Sequence, residues 1–191
     1  LAVLLARLSA TSDIAVGTPI AGRGQRALDA LVGMFVNTLV LRAEIDPGMT
    51  FAAVIDQVRG TDLEAYAHAD VPFETLVEQL DPVRSEAFAP LTQILLTFHQ
   101  STLPEFSTDL GDSVAEASSI AGLLIAPIEA PETPAKVDLT FAIAGGTQGQ
   151  PWPAQIVYAT DMFDAATVRT MADRFVRVLA TCLADVQVPV G

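Results

Sequence analysis

The imidazole and thiol side chains, which most often do acid–base or nucleophilic chemistry near neutral pH, are few and scattered. His68 and His99 are the two imidazoles of the 191-residue chain, and Cys182 is its one thiol. Histidine changes charge near neutral pH, so both invite a general-base reading. His68 with Asp70 and Glu74 reads instead as a group whose hydrogen bonds anchor the helix start at Pro72. His99 reads as a strand-end residue with no chemical task. Asn37 is the first choice for a site residue, because a carboxamide can donate to a developing oxyanion or hold a carbonyl group. It follows two apolar residues at the mouth of a predicted strand, where a side chain can face a cavity. The plainer alternative is an asparagine that caps a turn, with Phe35 and Val36 in the core. Arg23 lies in the glycine-flanked run Ala21-Gly22-Arg23-Gly24. It can pair with a carboxylate or phosphate, or be a solvated loop arginine. Asp161 and Asp164 resemble a carboxylate pair, yet Asp164 is better explained as a helix cap. One cysteine excludes an internal disulfide and a multi-thiolate metal site, and Cys182 reads as a small core residue. No metal-ligand cluster is found in the sequence.

These residues must be carried by a folded core. The chain is 51% apolar and only 17% charged, a composition that argues against disorder. Its length suits one sizeable domain. With 10 basic and 23 acidic residues the net charge is -13, and Lys136 is the single lysine. Such a surface repels phosphate backbones, so nucleic acid is not an expected partner. No charge-free apolar run reaches the ~18 residues needed to span a bilayer, so no membrane partner is expected. Residues 1–8 read as the tail of a helix rather than a signal peptide. Cytoplasm is the default compartment.

The pattern along the chain predicts alternating strands and helices. Residues 13–17 form a short apolar run closed by Gly17-Thr18-Pro19, which reads as a buried strand ending in a turn. Residues 39–45 alternate as a second strand, with Leu39, Leu41 and Ala43 on one face. Asp46-Pro47-Gly48 turns the chain. Thr50 caps a helix in which Phe51, Val54, Ile55 and Val58 share a face, running to about Tyr66. Pro72 opens a second helix over residues 73–80, with Glu74 in its first turn. Residues 93–98 read as a strand, 101–119 as a long loop, and 120–128, 137–143 and 154–158 as three more strands. Asp164 caps the last helix, whose apolar stripe is Val168, Met171, Phe175, Val178, Leu179 and Cys182. The expected class is α/β, with helices covering a mixed β-sheet in one domain.

Three stretches carry a family resemblance. Leu31-Val32-Gly33-Met34-Phe35-Val36-Asn37-Thr38, followed by Arg42, is similar to the Val-Gly-x-Phe-Val-Asn-Thr signature of the condensation domains of non-ribosomal peptide synthetases. His68-Ala69-Asp70-Val71-Pro72-Phe73-Glu74 resembles their His-Gln-Asp-x-Pro-Phe-Glu signature, with Ala69 in place of the usual glutamine. Arg84-Ser85-Glu86-Ala87-Phe88-Ala89-Pro90-Leu91 looks like the Arg-x-x-Ser-x-x-Pro-Leu region, with its serine closer to the arginine. The runs at residues 17–23 and 158–164 also match, and all five follow the family order.

The resemblance implies one half of a V-shaped enzyme. Residues 1–191 would be its C-terminal lobe, similar to chloramphenicol acetyltransferase, with the active site in a tunnel between two lobes. The family's His-His-x-x-x-Asp-Gly motif belongs to the other lobe and is absent here, so the lobe is expected to be inactive alone. Its parent would be an acyltransferase forming amides between thioesters held on phosphopantetheine arms of carrier proteins, with no cofactor bound directly. The implied partners are the N-terminal lobe, carrier proteins and an adjacent adenylation domain. Asn37, Arg23, Phe35 and Thr38 would wall the tunnel, while His68, Asp70, Pro72, Phe73 and Glu74 form a structural motif. Two rivals remain open: a non-catalytic docking scaffold, and an epimerisation or ester-forming relative. The intact Phe35-Val36-Asn37-Thr38 run looks more like condensation than epimerisation.

Overall fold

A computed structural model describes residues 1–24, 26–83, 85, 88–100, 118–120, 123–125, 134–145 and 151–191. The first strand, β1 (Asp13–Ile20), places Ile14, Val16 and Thr18 on one face, all buried. It does not end at Gly17 as the sequence suggests. Gly17 lies so close to the neighbouring strand that a Cβ would sit 2.6 Å from Cδ2 of Leu95. The glycine there serves close strand approach rather than a turn. Pro19 is accommodated next to the strand's last residue, opposite Thr38.

Strand β2 (Asn37–Glu44) runs antiparallel to β1, from Asp13 opposite Glu44 to Ile20 opposite Asn37. It begins two residues before the expected start, and Leu39 and Ala43 face the core. Strands β3 (Ile94–Gln100), β6 (Leu139–Gly145) and β7 (Ala154–Tyr158) complete a five-stranded sheet of order β2-β1-β3-β6-β7. The β1–β3 and β3–β6 pairs are parallel and the two outer pairs antiparallel, so the sheet is mixed as expected. Two short strands, β4 (Ser118–Ile120) and β5 (Leu123–Ile125), pair separately. The single strand expected over 120–128 is therefore two antiparallel pieces. Residues 121, 122 and 126–128 lie outside the described residues, as does most of the expected 101–119 loop.

Helices cover the face bearing Ile14 and Val16. Helix α1 (Ala2–Ser9) contributes Val3 and Leu5, and α2 (Phe51–Ala67) contributes Val54. They form one cluster with Ile14, Val16, Ala43, Ile45 and Val190, and Leu96 and Val178 pack against it. Thr50 caps α2 as predicted, its hydroxyl accepting from the Ala53 N–H at 3.2 Å. Helix α4 (Ala165–Ala184) begins at Asp164, which accepts from the Thr167 N–H at 2.7 Å. Its stripe buries Val168 and Cys182 and sets Phe175 against Phe141 with ring centroids 6.0 Å apart. Leu179 lies at the margin of that stripe and is exposed. Helix α3 (Phe73–Leu80) is short, buries no residue fully, and sits by the start of β2.

Candidate functional site

Strands β1, β3 and β6 point the same way, so their carboxyl ends share one end of the sheet with the start of β2. Open α/β sheets characteristically bind ligands beyond the carboxyl ends of parallel strands. Counting three residues on from the Gly17–Leu95 pair, Asn37, Ile20, Phe98, Ile143 and Ala154 lie level across all five strands. Beyond Phe98 the Trp152 ring packs against it at 5.5 Å, and both rings are about half exposed. Nothing in the sequence signals this aromatic pair, because its members are far apart in the chain.

Asn37 is the junction of this end. Its carboxamide nitrogen donates to the carbonyls of Ala69 at 3.1 Å and Val71 at 2.8 Å. Its carbonyl oxygen accepts from the Phe73 N–H at 3.0 Å. Those bonds occupy both amide hydrogens and one of two acceptor positions. The need for them is local. Helix α3 starts after Pro72, whose own side chain makes no capping bond, so a first-turn N–H lacks a partner within its own segment. Asn37 supplies that partner from a strand more than thirty residues earlier.

This corrects one expectation. Among the described residues, the side chains of His68, Asp70 and Glu74 make no hydrogen bonds, and all three are exposed. The helix start is held by Asn37 and by the backbone. The His68 N–H closes α2 on the Ala65 and Tyr66 carbonyls, and the His68 carbonyl accepts from the Val71 N–H at 3.1 Å. The side chain of His99 lies outside the described residues.

Arg23 is braced against its own loop. One of its terminal nitrogens donates to the carbonyls of Leu28 and Leu31, the latter at 2.8 Å. The guanidinium carbon stands 4.3 Å from the centre of the Phe35 ring, a cation–π contact. Gly22 permits this packing: its φ is +62°, and a Cβ there would fall 1.7 Å from the Phe35 carbonyl oxygen. Only glycine tolerates both conditions. The loop so held displays Leu31, Val32, Met34 and Val36 to solvent.

The structure thus brings Arg23, Phe35, Asn37 and the 68–74 stretch together. Thr38, the next residue along β2, faces the opposite side of the sheet. Arg42 lies at the far end of β2, where it forms a bidentate pair with Asp13, both contacts 2.7 Å. That guanidinium holds the Asp13 carboxyl below its ordinary range. Of the third stretch, Arg84, Glu86 and Ala87 lie outside the described residues. Pro90 and Leu91 lead into the opening end of β3, away from Asn37. A groove of about 510 Å³ lies under α1 and α2, lined by Val3, Ile14, Val54, Val58 and Leu96. Burial raises the carboxyl of Asp62 at its rim. The groove is mostly apolar core surface; Arg42 reaches its lining, while Arg23, Phe35 and Asn37 do not. Among the described residues, no group of three or more His, Cys, Asp or Glu could hold a metal ion. No described helix is long and apolar enough to cross a membrane.

A five-stranded mixed sheet with helices, with the 31–38 and 68–74 stretches at the carboxyl ends of its parallel strands, is an acetyltransferase-like α/β fold. The chain belongs to the condensation-domain family, whose sequence model matches residues 1–191. It is 44% identical over 189 residues to a probable non-canonical nonribosomal peptide synthetase of Salinispora arenicola, covering 97% of this chain and 2% of that protein. It is 38% identical over 195 residues to a dimodular nonribosomal peptide synthase of Bacillus subtilis, covering 100% of this chain and 8% of that one. Among solved structures, a holo four-domain nonribosomal peptide synthetase bound to AMP and glycine superposes with a TM-score of 0.86 at 27% identity. That match covers 98% of this chain and 14% of the other. The X-domain from teicoplanin biosynthesis superposes with a TM-score of 0.81 at 27% identity, covering 99% of this chain and 41% of that one. The chain therefore spans 2%, 8% and 14% of the three synthetases and 41% of the X-domain chain.

Proposed function

We propose that residues 1–191 are the C-terminal lobe of a peptide-synthetase condensation domain and form one wall of its reaction tunnel. The match of the condensation-domain family over the whole chain carries this reading. The meeting of the 31–38 and 68–74 stretches at the carboxyl ends of β1, β3 and β6 supports it. In the proposed reaction, the amine of an acceptor thioester adds to the carbonyl carbon of a donor thioester. The C–N bond forms as the C–S bond breaks; the amine gives up a proton and the departing thiolate takes one. Both substrates arrive on phosphopantetheine arms of carrier proteins, and an adenylation domain is the expected neighbour. The histidine motif comes from the N-terminal lobe. This lobe contributes a fixed wall that orients the two arms and excludes the water that would hydrolyse a thioester. Phe98 and Trp152 add an apolar surface at the same end. Cytoplasm is the compartment that suits carrier-bound chemistry.

The second reading is a docking scaffold without chemistry. It draws on the X-domain from teicoplanin biosynthesis, which has also been solved in complex with OxyB and superposes with a TM-score of 0.78. The two readings separate in an amide-formation assay with donor- and acceptor-loaded carrier proteins. The chain is tested alone and together with a complementary N-terminal lobe. The enzyme reading expects product only from the combined lobes. No product, with both lobes folded and associated, favours the scaffold.

A further inference from the structure

We propose that Asn37 is a positioning residue for amide formation, acting through the 68–72 turn and the start of α3 rather than on the reacting atoms. The inference rests on the reading of this chain as a condensation-domain lobe. Three distances carry it: 3.1 and 2.8 Å to the Ala69 and Val71 carbonyls, and 3.0 Å from the Phe73 N–H. Both amide hydrogens are committed to those carbonyls, so neither remains to meet an oxyanion unless the turn opens. The same carboxamide ties two segments that lie far apart in the chain. One is the braced loop ending at Val36, held by Gly22 and by Arg23 over Phe35. The other is the 68–72 turn, whose His68, Asp70 and Pro72 side chains reach solvent. One side chain therefore sets the relative position of two exposed surfaces at the candidate site. Displacing a positioning element by about 1 Å can lower turnover ~100-fold even where the chemistry is remote.

The test uses two variants. Asn37→Ala removes all three bonds. Asn37→Asp keeps an acceptor for the Phe73 N–H but sets a carboxylate against the Ala69 and Val71 carbonyls. Each is paired with the complementary lobe and assayed with loaded carriers, fitting kcat and KM separately. Exchange of the Phe73 amide is followed in the 191-residue chain. For Asn37→Ala we expect kcat to fall ~10- to 100-fold with KM for the carriers little changed, and Phe73 exchange to accelerate. For Asn37→Asp we expect a comparable fall in kcat while Phe73 stays protected, because the loosened part is the turn. If Asn37→Ala does not fold, Asn37→Asp decides through the Val71 amide, which bonds the His68 carbonyl within the turn: a fall in kcat with faster Val71 exchange supports positioning, and a fall with that exchange unchanged overturns it. A fall in kcat for Asn37→Ala with Phe73 exchange unchanged would mean a direct contact with the reacting atoms and overturns the proposal. Accelerated exchange with unchanged kcat would mean a purely structural tie and also overturns it, as would wild-type turnover in Asn37→Asp. Absence of product from the unsubstituted lobes would instead remove the condensation reading, whatever the exchange rates are.

Discussion

A carboxamide with three backbone partners cannot be trimmed without consequence, and the same holds for the glycine that lets Arg23 pack on Phe35. At Gly22 any Cβ meets the Phe35 carbonyl, and the positive φ adds strain of its own. Gly22→Ala is expected to cost about 1–3 kcal/mol from the backbone conformation, with loss of the Arg23 brace on top. Urea denaturation of both proteins measures it, and an unchanged midpoint would show that the loop does not hold this conformation. Arg42 is a contrast. Its pair with Asp13 has good geometry but is largely exposed, so Arg42→Ala should leave the denaturation midpoint almost where it was. Asn37 was legible from its type and neighbours as a residue worth attention. Its bonding was not, because its partners lie 32 to 36 positions later in the chain. Residue type shows what a side chain can bond to; the partner it meets is decided by tertiary structure.

Capping is where single elements are most open to reading. Thr50 and Asp164 each precede an apolar-periodic run, and both helices start where those residues place them. Thr50→Ala should destabilise the protein by about 1 kcal/mol, checked by thermal or chemical denaturation. The Asp164 carboxyl lies below its ordinary value, chiefly through the Thr167 N–H bond. A group with a depressed folded pKa stabilises above its unfolded value and loses that contribution as pH falls through the folded one. The gap in melting temperature between wild type and Asp164→Ala should thus be full at pH 7 and shrink below about pH 4. A gap that persists undiminished at pH 2 would exclude a carboxylate cap. Other boundaries were harder to see. The sequence run Gly17-Thr18-Pro19 has the composition of a turn, yet β1 continues to Ile20 because close packing against Leu95 demands a glycine. The start of α3 shows the opposite case: Pro72 announces the helix, while the residue that completes its cap belongs to β2.

Among the described residues the five-stranded sheet is the organising element, with its helix-bearing face closed by α1, α2 and α4. Phe141 on β6 is 3% exposed and meets Phe175 of α4, so it ties the final helix to the sheet. Phe141→Ala should cost about 3–5 kcal/mol, which for a domain of ordinary stability is a large share of the total. Calorimetry would test it; a loss well under 1 kcal/mol would mean that α4 is not held through this contact. The α/β class and most of the element order followed from periodicity and turn residues; the β4–β5 pair in place of one strand did not. The strand order did not, since parallel neighbours such as β1 and β3 are brought together only by the tertiary fold. At this scale the proposed role is that of one wall of an amide-forming site which another lobe completes. The most direct measurement is the intact mass of the acceptor carrier protein over time, at fixed chain concentration and increasing complementary lobe. A shared site gives no mass gain with either lobe alone, and with added lobe a saturating gain equal to the donor acyl group less the hydrogen it replaces. Mass gain from this chain alone, or none at saturating concentrations of two folded and associated lobes, would contradict it.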